Sequence, residues 1–140
     1  MALSGYVLDA TVAVVWCFDD EGAPAAWALL ERLRTESGHV PALWALEVGN
    51  ILPGAEKRER ITPARVVEFL AILADLDIRV DPDAPGRVLR DVLPIARARG
   101  FTTCDASYPE LAMRLGLPLE TEDRALARAA AATQVATLPA

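Results

Sequence analysis

Residues 6–18 have the sequence YVLDATVAVVWCF, which joins a short apolar run at residues 6–8 to a helix-length segment through the acid Asp9. Such an apolar run before a charge is typical of a strand that is buried on both faces of a sheet. The segment after it, from about Thr11 to Phe18, has the length and composition of a helix. This unit of strand, acid and helix predicts an α/β fold, and strand-like and helix-like segments continue to alternate along the chain.

The other strand-like runs also lie between helix-length segments. They occupy residues 39–40, 78–80, 101–103 and 118–121, and the predicted helices cover residues 23–34, 63–75, 85–99, 105–115 and 122–132, with one more beginning near residue 42. Strands separated by helices of this length form a mostly parallel sheet that is covered on both faces. We therefore expect a three-layer α/β/α sandwich. No repeat or linker interrupts the sequence, so residues 1–140 are expected to form a single domain.

Prolines, glycines and capping residues mark the ends of these helices. Thr62, directly before a proline, is an N-cap signal, while Gly100 and Gly116 stand where two helices should stop. Pro53 falls inside the helix from residue 42. Because proline removes a backbone donor and clashes with the preceding turn, at a cost of about 3 kcal/mol, we expect a kink or break there. Pro109 lies early in its predicted helix, where a missing N–H is tolerated.

The composition narrows the classes of function. The chain of 140 residues has 14 Lys and Arg against 20 Asp and Glu, which gives a formal charge of -6. This balance argues against non-specific duplex binding through a broad basic face, because phosphate contacts are made chiefly by Lys and Arg. No transmembrane run or secretory signal is recognisable, so we expect a cytoplasmic protein that does not enter a membrane. Cys17 and Cys104 fit no disulfide framework, and Cys104 is interpreted as a small buried hydrophobic residue.

Acids follow several of the predicted strands. Asp9 follows the first strand-like run, Asp105 the fourth and Asp123 the fifth, while Glu47 is the charged residue in the otherwise apolar stretch 42–52. The carboxyl ends of parallel strands meet at one edge of a sheet, where ligands bind in open α/β folds. We therefore expect the three aspartates to share one crevice that Glu47 closes from a neighbouring helix.

Carboxylates this close together repel one another, and cations would neutralise them. Oxygen ligands without a supporting His or Cys set favour Mg²⁺, or Mn²⁺, over zinc. Such ions promote hydrolysis of phosphate esters by activating a water and by stabilising the leaving oxygen. The four acids therefore predict a metal site for phosphoryl hydrolysis, which lets an acidic protein accept an anionic substrate.

Each acid also has an ordinary structural interpretation. Asp9 and Asp105 precede predicted helices and can be N-caps, and Asp123 lies in a first helical turn, where acids favour the helix dipole. Glu47 can be a solvated helix position. The joint pattern favours the metal site, because helix caps do not require a lone acid in an apolar stretch as well.

The four segments that carry these acids resemble the PIN-domain family, and more narrowly the VapC-type toxins of type II toxin-antitoxin pairs. The resemblance covers nearly all of the chain. It rests on VLDAT at residues 7–11, PALWALEVGN at 41–50, DASY followed by ELA at 105–112, and LPLETEDRAL at 117–126. Each motif is short and weak, but their order and spacing are rather specific.

The resemblance implies a metal-dependent endoribonuclease that a cognate antitoxin protein holds inactive and that commonly forms a homodimer. It implies that Mg²⁺ or Mn²⁺ is held by four acids, with Asp9 and Asp105 as the main ligands, Glu47 joining them directly or through water, and Asp123 positioning a second metal or water. It further implies supporting roles for three residues: Thr11 on an acid or the scissile phosphate, Asn50 on Glu47, and Arg124 on phosphate.

A second class of function is open at this point. A PIN-like domain that has lost cutting and kept a protein-interaction role would be a binding module, although the full set of acids argues against it. Two basic clusters, at residues 57–60 and 87–99, are interpreted as solvated helix faces or as local guides for RNA.

Overall fold

A parallel sheet forms the centre of the molecule. The structure, a computed structural model, describes residues 4–18, 23–82 and 84–132. Within these residues the sheet has four strands in the order β3-β2-β1-β4, with every pair parallel. The strands are β1 (Tyr6–Leu8), β2 (Gly38–Pro41), β3 (Ile78–Asp81) and β4 (Leu119–Glu120). The predicted α/β fold with a mostly parallel central sheet flanked by helices is confirmed.

The helices connect and flank these strands. They are α1 (Ala10–Phe18), α2 (Pro24–Arg32), α3 (Trp44–Lys57), α4 (Pro63–Asp75), α5 (Pro85–Arg87), α6 (Leu93–Arg99), α7 (Thr103–Leu115) and α8 (Arg124–Ala132), with a π-helical segment at Val88–Val92 between α5 and α6. Helix α7 packs on β1, β2 and β4, while α1 packs against α2, α3 and α4. No helix within the described ranges is long and apolar enough to span a bilayer.

Strand β1 lies in the interior because its residues are apolar on both faces. Its three residues are fully buried. The hydroxyl of Tyr6 donates to the carbonyl of Leu29 at 2.7 Å, and the indole Nε1 of Trp16 donates to the carbonyl of Ala26 at 2.8 Å. Both buried aromatic side chains thus donate to backbone carbonyls of α2, and these hydrogen bonds fix α2 against β1 and α1.

The order of the strands determines where a crevice can form. From β1 the chain moves outward to β2 and β3, and it then returns to place β4 on the other side of β1. Register pairs join Val7 to Leu119 and Leu8 to Glu120, and the backbone N–H of Asp9 donates to the Glu120 carbonyl at 3.0 Å. The strand order therefore reverses between β1 and β4, and this is where open parallel sheets bind ligands.

The strand predicted at residues 101–103 is absent, which corrects the sequence interpretation. Gly100 ends α6 in the left-handed conformation, and the N–H of Phe101 still bonds back to Ala96 at 2.9 Å. Thr102 already caps α7, because its hydroxyl accepts from the N–H of Asp105 at 3.1 Å. Nothing remains between the two caps to form a strand, so Asp105 lies in the first turn of α7 rather than at a strand end.

The break predicted at Pro53 is also wrong, since α3 continues through it to Lys57. The carbonyl that loses its helical partner belongs to Gly49, four residues earlier. Both Gly49 and Pro53 are exposed, so water can satisfy that carbonyl, and the face of α3 that packs on the core is undisturbed.

Other local predictions are confirmed with changes in detail. Thr62 caps α4, and Gly100 and Gly116 end their helices with φ of 68° and 67°. The predicted helix 85–99 contains a π-helical segment, in which the N–H of Leu93 reaches back to Val88 just before Pro94. Pro109 breaks nothing, as predicted. It lies in the middle of α7, however, because that helix begins at Thr103 rather than Asp105.

Candidate active site

An open cleft lies beyond the carboxyl ends of β1 and β4. It has a volume of about 300 Å³, and its lining includes all four acids that the sequence analysis singled out. The residues around it are Asp9, Ala10, Thr11, Glu47, Asn50, Ile51, Asp105, Asp123 and Leu126. Four separate segments of the chain thus meet here.

Asp9 is the most buried of the four acids, with 5% of its surface exposed. It directly follows β1, and its Oδ2 accepts hydrogen bonds from the hydroxyls of Thr11, at 2.7 Å, and Thr121, at 2.6 Å. Burial raises the pKa of the Asp9 carboxyl and the charge of Asp123 adds to this effect, while the two hydroxyl bonds oppose it. The carboxylate is therefore held firmly in place, but its negative charge is less stable there than in water.

The two threonines join the loop after β4 to the start of α1. The hydroxyl of Thr121 accepts from the N–H of Asp123 at 2.9 Å, and that of Thr11 accepts from the N–H of Glu122 at 3.0 Å. Each hydroxyl thus receives one backbone hydrogen bond and passes one to Asp9. Sequence reasoning identified Thr11 but missed Thr121. The available signal was its position two residues before an acid, which mirrors the position of Thr11 two residues after one.

Asp123 precedes α8 and caps it. Its Oδ1 accepts from the backbone N–H groups of Ala125, at 2.9 Å, and Leu126, at 3.2 Å. The expectation that Asp123 lies in a first helical turn is wrong, because α8 begins at Arg124 and Asp123 is the cap before it; the same side chain also lines the cleft. One carboxylate has two oxygens, so capping by Oδ1 leaves Oδ2 for another partner.

Glu47 lines the cleft from α3. Its Oε1 accepts a hydrogen bond from the hydroxyl of Tyr108 on α7. Burial raises the pKa of the Glu47 carboxyl, the Tyr108 hydrogen bond lowers it, and the charges of Asp9 and Asp105 raise it further. Burial and the same hydrogen bond raise the pKa of Tyr108, which therefore remains a donor at neutral pH. Tyr108 is a second site residue that sequence reasoning missed.

These electrostatic effects show that the acids interact across the cleft. Asp9 is influenced by Asp123, and Glu47 by both Asp9 and Asp105. Within the described ranges, however, no three acidic, histidine or cysteine side chains are assembled as the ligands of one ion. The lining nevertheless fits a divalent cation, because its donors are hard oxygens and a positive charge would relieve their mutual repulsion.

The remaining predicted residues differ in how they relate to the cleft. Asn50 lines it one turn after Glu47 and is exposed. Arg124 is exposed at the start of α8 and is not part of the lining. Cys104 is exposed, which corrects its interpretation as a buried hydrophobic residue: it lies in the first turn of α7 rather than in a strand.

The second basic cluster is largely engaged with acids. Arg87 pairs with Glu110 at 2.9 Å and with Asp81 at 3.2 Å, and Arg90 pairs with Asp91 at 3.1 Å. The pairs of Arg87 connect α5 to β3 and α7, whereas the Arg90–Asp91 pair lies within the π-helical segment. They neutralise much of the charge that a guiding role for RNA would require.

Comparisons with known proteins agree with the fold described above. The family model described as the PIN domain matches residues 6–132. The crystal structure of PAE2754 from Pyrobaculum aerophilum is similar to the chain with a TM-score of 0.70 and 28% identity, over 95% of this chain and 82% of that one. A toxin-antitoxin complex from Klebsiella pneumoniae contains a chain with a TM-score of 0.58 and 13% identity, over 85% of this chain and 87% of that one. A search of curated proteins finds no significant match.

Proposed function

Because this chain belongs to the PIN domain family, whose fold is generally a nuclease fold, we propose that it is a metal-dependent endoribonuclease that acts as the toxin of a type II toxin-antitoxin pair. The observation that carries the proposal is the convergence of Asp9, Glu47, Asp105 and Asp123 around one cleft. The likeness to a chain of a toxin-antitoxin complex supports the toxin role.

PIN domain nucleases generally use divalent metal ions, and Mg²⁺ or Mn²⁺ is the proposed cofactor here. Asp9 and Asp105 are the proposed main ligands, with Glu47 joining them and Asp123 serving a second ion or a water. When bound, the cation would lower the pKa of a water and neutralise charge on the scissile phosphate of RNA. The distribution of hydrogen bonds supports these roles, because both hydroxyl bonds to Asp9 fall on Oδ2 and both capping bonds of Asp123 fall on Oδ1. The backbone N–H of Ala10 adds a further bond to the Asp9 carboxylate.

Three further residues have proposed supporting roles. Thr11 holds Asp9, as its hydrogen bond of 2.7 Å indicates. Asn50 lies on the same face of α3 as Glu47 and can contact either that carboxylate or substrate. Arg124, exposed beside Asp123, is the proposed contact for an RNA phosphate outside the cleft.

The exposed surface of α3 is the proposed docking site of the antitoxin. Ala45, Leu46, Gly49, Asn50 and Pro53, here called the uncharged α3 face, are all exposed, and Leu46 is 72% exposed. This face is continuous with the cleft because Asn50 belongs to both. A partner that covers it would therefore lie beside the proposed catalytic acids, as an inhibitor of the nuclease must. The active unit is proposed to be a homodimer, as the family resemblance implies.

RNA cleavage tests the proposal directly. We expect the purified chain to cut bulk RNA with Mn²⁺ or Mg²⁺ and cleavage to stop when EDTA is added. Asp9→Asn should reduce the cleavage rate by more than about 100-fold, because even the loss of a residue that only supports a metal ligand reduces metal affinity or activity by about 10- to 100-fold. Asp91→Asn is the matched control, because Asp91 pairs with Arg90 away from the cleft. Equal cleavage by Asp9→Asn and the parent would reject the proposed site.

A binding module without nuclease activity is the second candidate. It is favoured by the finding that, in the described part of the chain, no three ligands are assembled for one ion. Calorimetric titration with Mn²⁺ separates the two candidates: a nuclease binds the ion with an affinity that depends on Asp9, whereas a module that has lost cutting shows no such binding and no cleavage.

A further inference from the structure

Tyr108 is a buried phenol whose hydroxyl lies at the edge of the cleft. Its surface is 1% exposed, its ring belongs to the hydrophobic core, and its hydroxyl donates to Oε1 of Glu47. A hydroxyl at the end of a packed ring has a fixed position, because the ring cannot turn without displacing its neighbours. Tyr108 is therefore a rigid donor that faces a carboxylate from another helix.

Glu47 has little support from its own helix. Helix α3 packs mainly against α1, and the adjacent Leu46 is 72% exposed. A glutamate side chain at such a boundary samples many rotamers unless a partner holds it. Within the described residues, the hydroxyl of Tyr108 is the hydrogen-bond donor to the Glu47 carboxylate.

The same hydrogen bond relates Glu47 to Asp105. Tyr108 lies three residues after Asp105 on α7, so the two side chains share one face of that helix. A bond from Tyr108 to Glu47 thus fixes the α3 carboxylate relative to the α7 carboxylate across the cleft. It also engages Oε1 and leaves Oε2 of Glu47 for a cation.

We infer that Tyr108 is a positioning residue that holds the Glu47 carboxylate in place relative to Asp105 and thereby sets the affinity of the cleft for a divalent cation, an inference that rests on the proposed function. Tyr108 is not among the residues that line the cleft. In the proposal its effect on the cation passes through Glu47, and this makes the inference separable from a role in folding.

The experiment is a calorimetric titration of the full chain with Mn²⁺. We expect Tyr108→Phe, which keeps the ring, to weaken Mn²⁺ binding about 10-fold. Tyr6→Phe is the matched control, since Tyr6 is equally buried and its hydroxyl donates to the Leu29 carbonyl on the other side of the core. Both variants should melt a few degrees lower than the parent, but Tyr6→Phe should keep the parent's Mn²⁺ affinity.

A double-mutant cycle identifies the path of the effect. We expect Tyr108→Phe to weaken Mn²⁺ binding less than about 2-fold when Glu47→Gln is already present, because the group that it positions is then gone. In the RNA assay, excess Mn²⁺ should restore the rate of Tyr108→Phe.

Two results would overturn the inference alone: Mn²⁺ affinity unchanged in Tyr108→Phe, or the full 10-fold loss persisting beside Glu47→Gln. The proposed metal dependence would survive either result, provided that Asp9→Asn still abolishes binding. A parent chain that binds no Mn²⁺ would overturn the inference and the proposed function together.

Discussion

Asp9 carries a negative charge in a place where burial outweighs the hydrogen bonds that stabilise it. Only 5% of the residue is exposed, and burial and Asp123 both raise the pKa of its carboxyl. A carboxyl whose pKa is higher in the folded state than in the unfolded state favours folding when protonated, so its ionised form lowers stability at neutral pH. In the proposed function, the charge of Asp9 serves to bind the cation at the expense of fold stability.

Asp9→Asn should therefore stabilise the metal-free protein while it abolishes cation binding. We expect the free energy of unfolding without metal to increase by about 1 kcal/mol, because the amide oxygen can still accept from Thr11 and Thr121 while the charge is gone. The increase in Tm that Mn²⁺ produces in the parent should disappear. Urea unfolding in EDTA measures the first effect, and thermal unfolding with Mn²⁺ the second. A destabilised apo variant would contradict this account of the charge.

Thr121→Val separates a buried support of Asp9 from an exposed one. Thr121 is 2% exposed, so removing its hydroxyl takes one of the two hydroxyl bonds from Oδ2 of Asp9 and leaves the N–H of Asp123 without its bond, at an expected cost of about 1–3 kcal/mol. Thr11→Val is the matched control: Thr11 makes a similar bond of 2.7 Å but is exposed, and water can replace its hydroxyl. Denaturant unfolding of both variants is the measurement. Equal losses would show that burial of the hydroxyl is immaterial.

The sequence was sufficient to predict the four acids but not the hydrogen-bond partners Thr121 and Tyr108. Asp9, Glu47, Asp105 and Asp123 stand out because charges interrupt apolar segments, and that pattern is visible in one dimension. Thr121 and Tyr108 are ordinary core residues in composition. Thr121 matters because it bonds to Asp9, which is 112 positions away in the sequence, and Tyr108 because it bonds to Glu47, which is 61 positions away. Such pairings depend on the folded geometry.

Helix ends were predictable because their chemistry is local. Thr62 accepts from the N–H three residues later at 3.1 Å, and Gly100 and Gly116 adopt left-handed conformations that glycine permits at low cost. The strand expected at residues 101–103 failed for a local reason too. The C-cap Gly100 and the N-cap Thr102 have only one residue between them, which leaves no room for a strand. The capping pattern was a stronger signal than the apolar and β-branched residues at 101–103.

Pro53, where a break in α3 was wrongly predicted, has a measurable consequence for stability. Helix α3 accommodates it because the unpaired Gly49 carbonyl lies on the exposed face, but the hydrogen bond is still missing. Pro53→Ala should restore that bond and raise the free energy of unfolding by up to about 3 kcal/mol. Pro63→Ala is the control, since a proline in the first turn of α4 costs no hydrogen bond and its replacement should bring no gain. A destabilised Pro53→Ala protein would show that the proline shapes the packing of α3.

The distribution of charge in the whole molecule limits how it can hold RNA. The chain has a formal charge of -6, and several of its arginines are paired with acids, as Arg87 is with Glu110 and Arg114 with Asp81. A protein with this charge distribution cannot rely on a broad basic surface to bind RNA. In the proposed function, the cation in the cleft provides most of the attraction for the scissile phosphate, and Arg124 adds a contact beside it.

Weak dependence on salt should follow from this charge distribution. We expect Asp9→Asn, which lacks both cutting and the attraction of the cation, to bind single-stranded RNA only through its remaining cationic contacts. Its affinity should fall less than about 20-fold between 50 and 200 mM KCl, as for about three phosphate contacts at a slope of roughly 0.7 per contact. Adding Arg124→Gln should weaken binding at every salt concentration and reduce the slope by about 0.7, because one phosphate contact is removed. Fluorescence anisotropy with a labelled oligonucleotide measures both. A slope of about 5 or more would reveal an extended basic surface, and an unchanged slope without Arg124 would remove that residue from the RNA path.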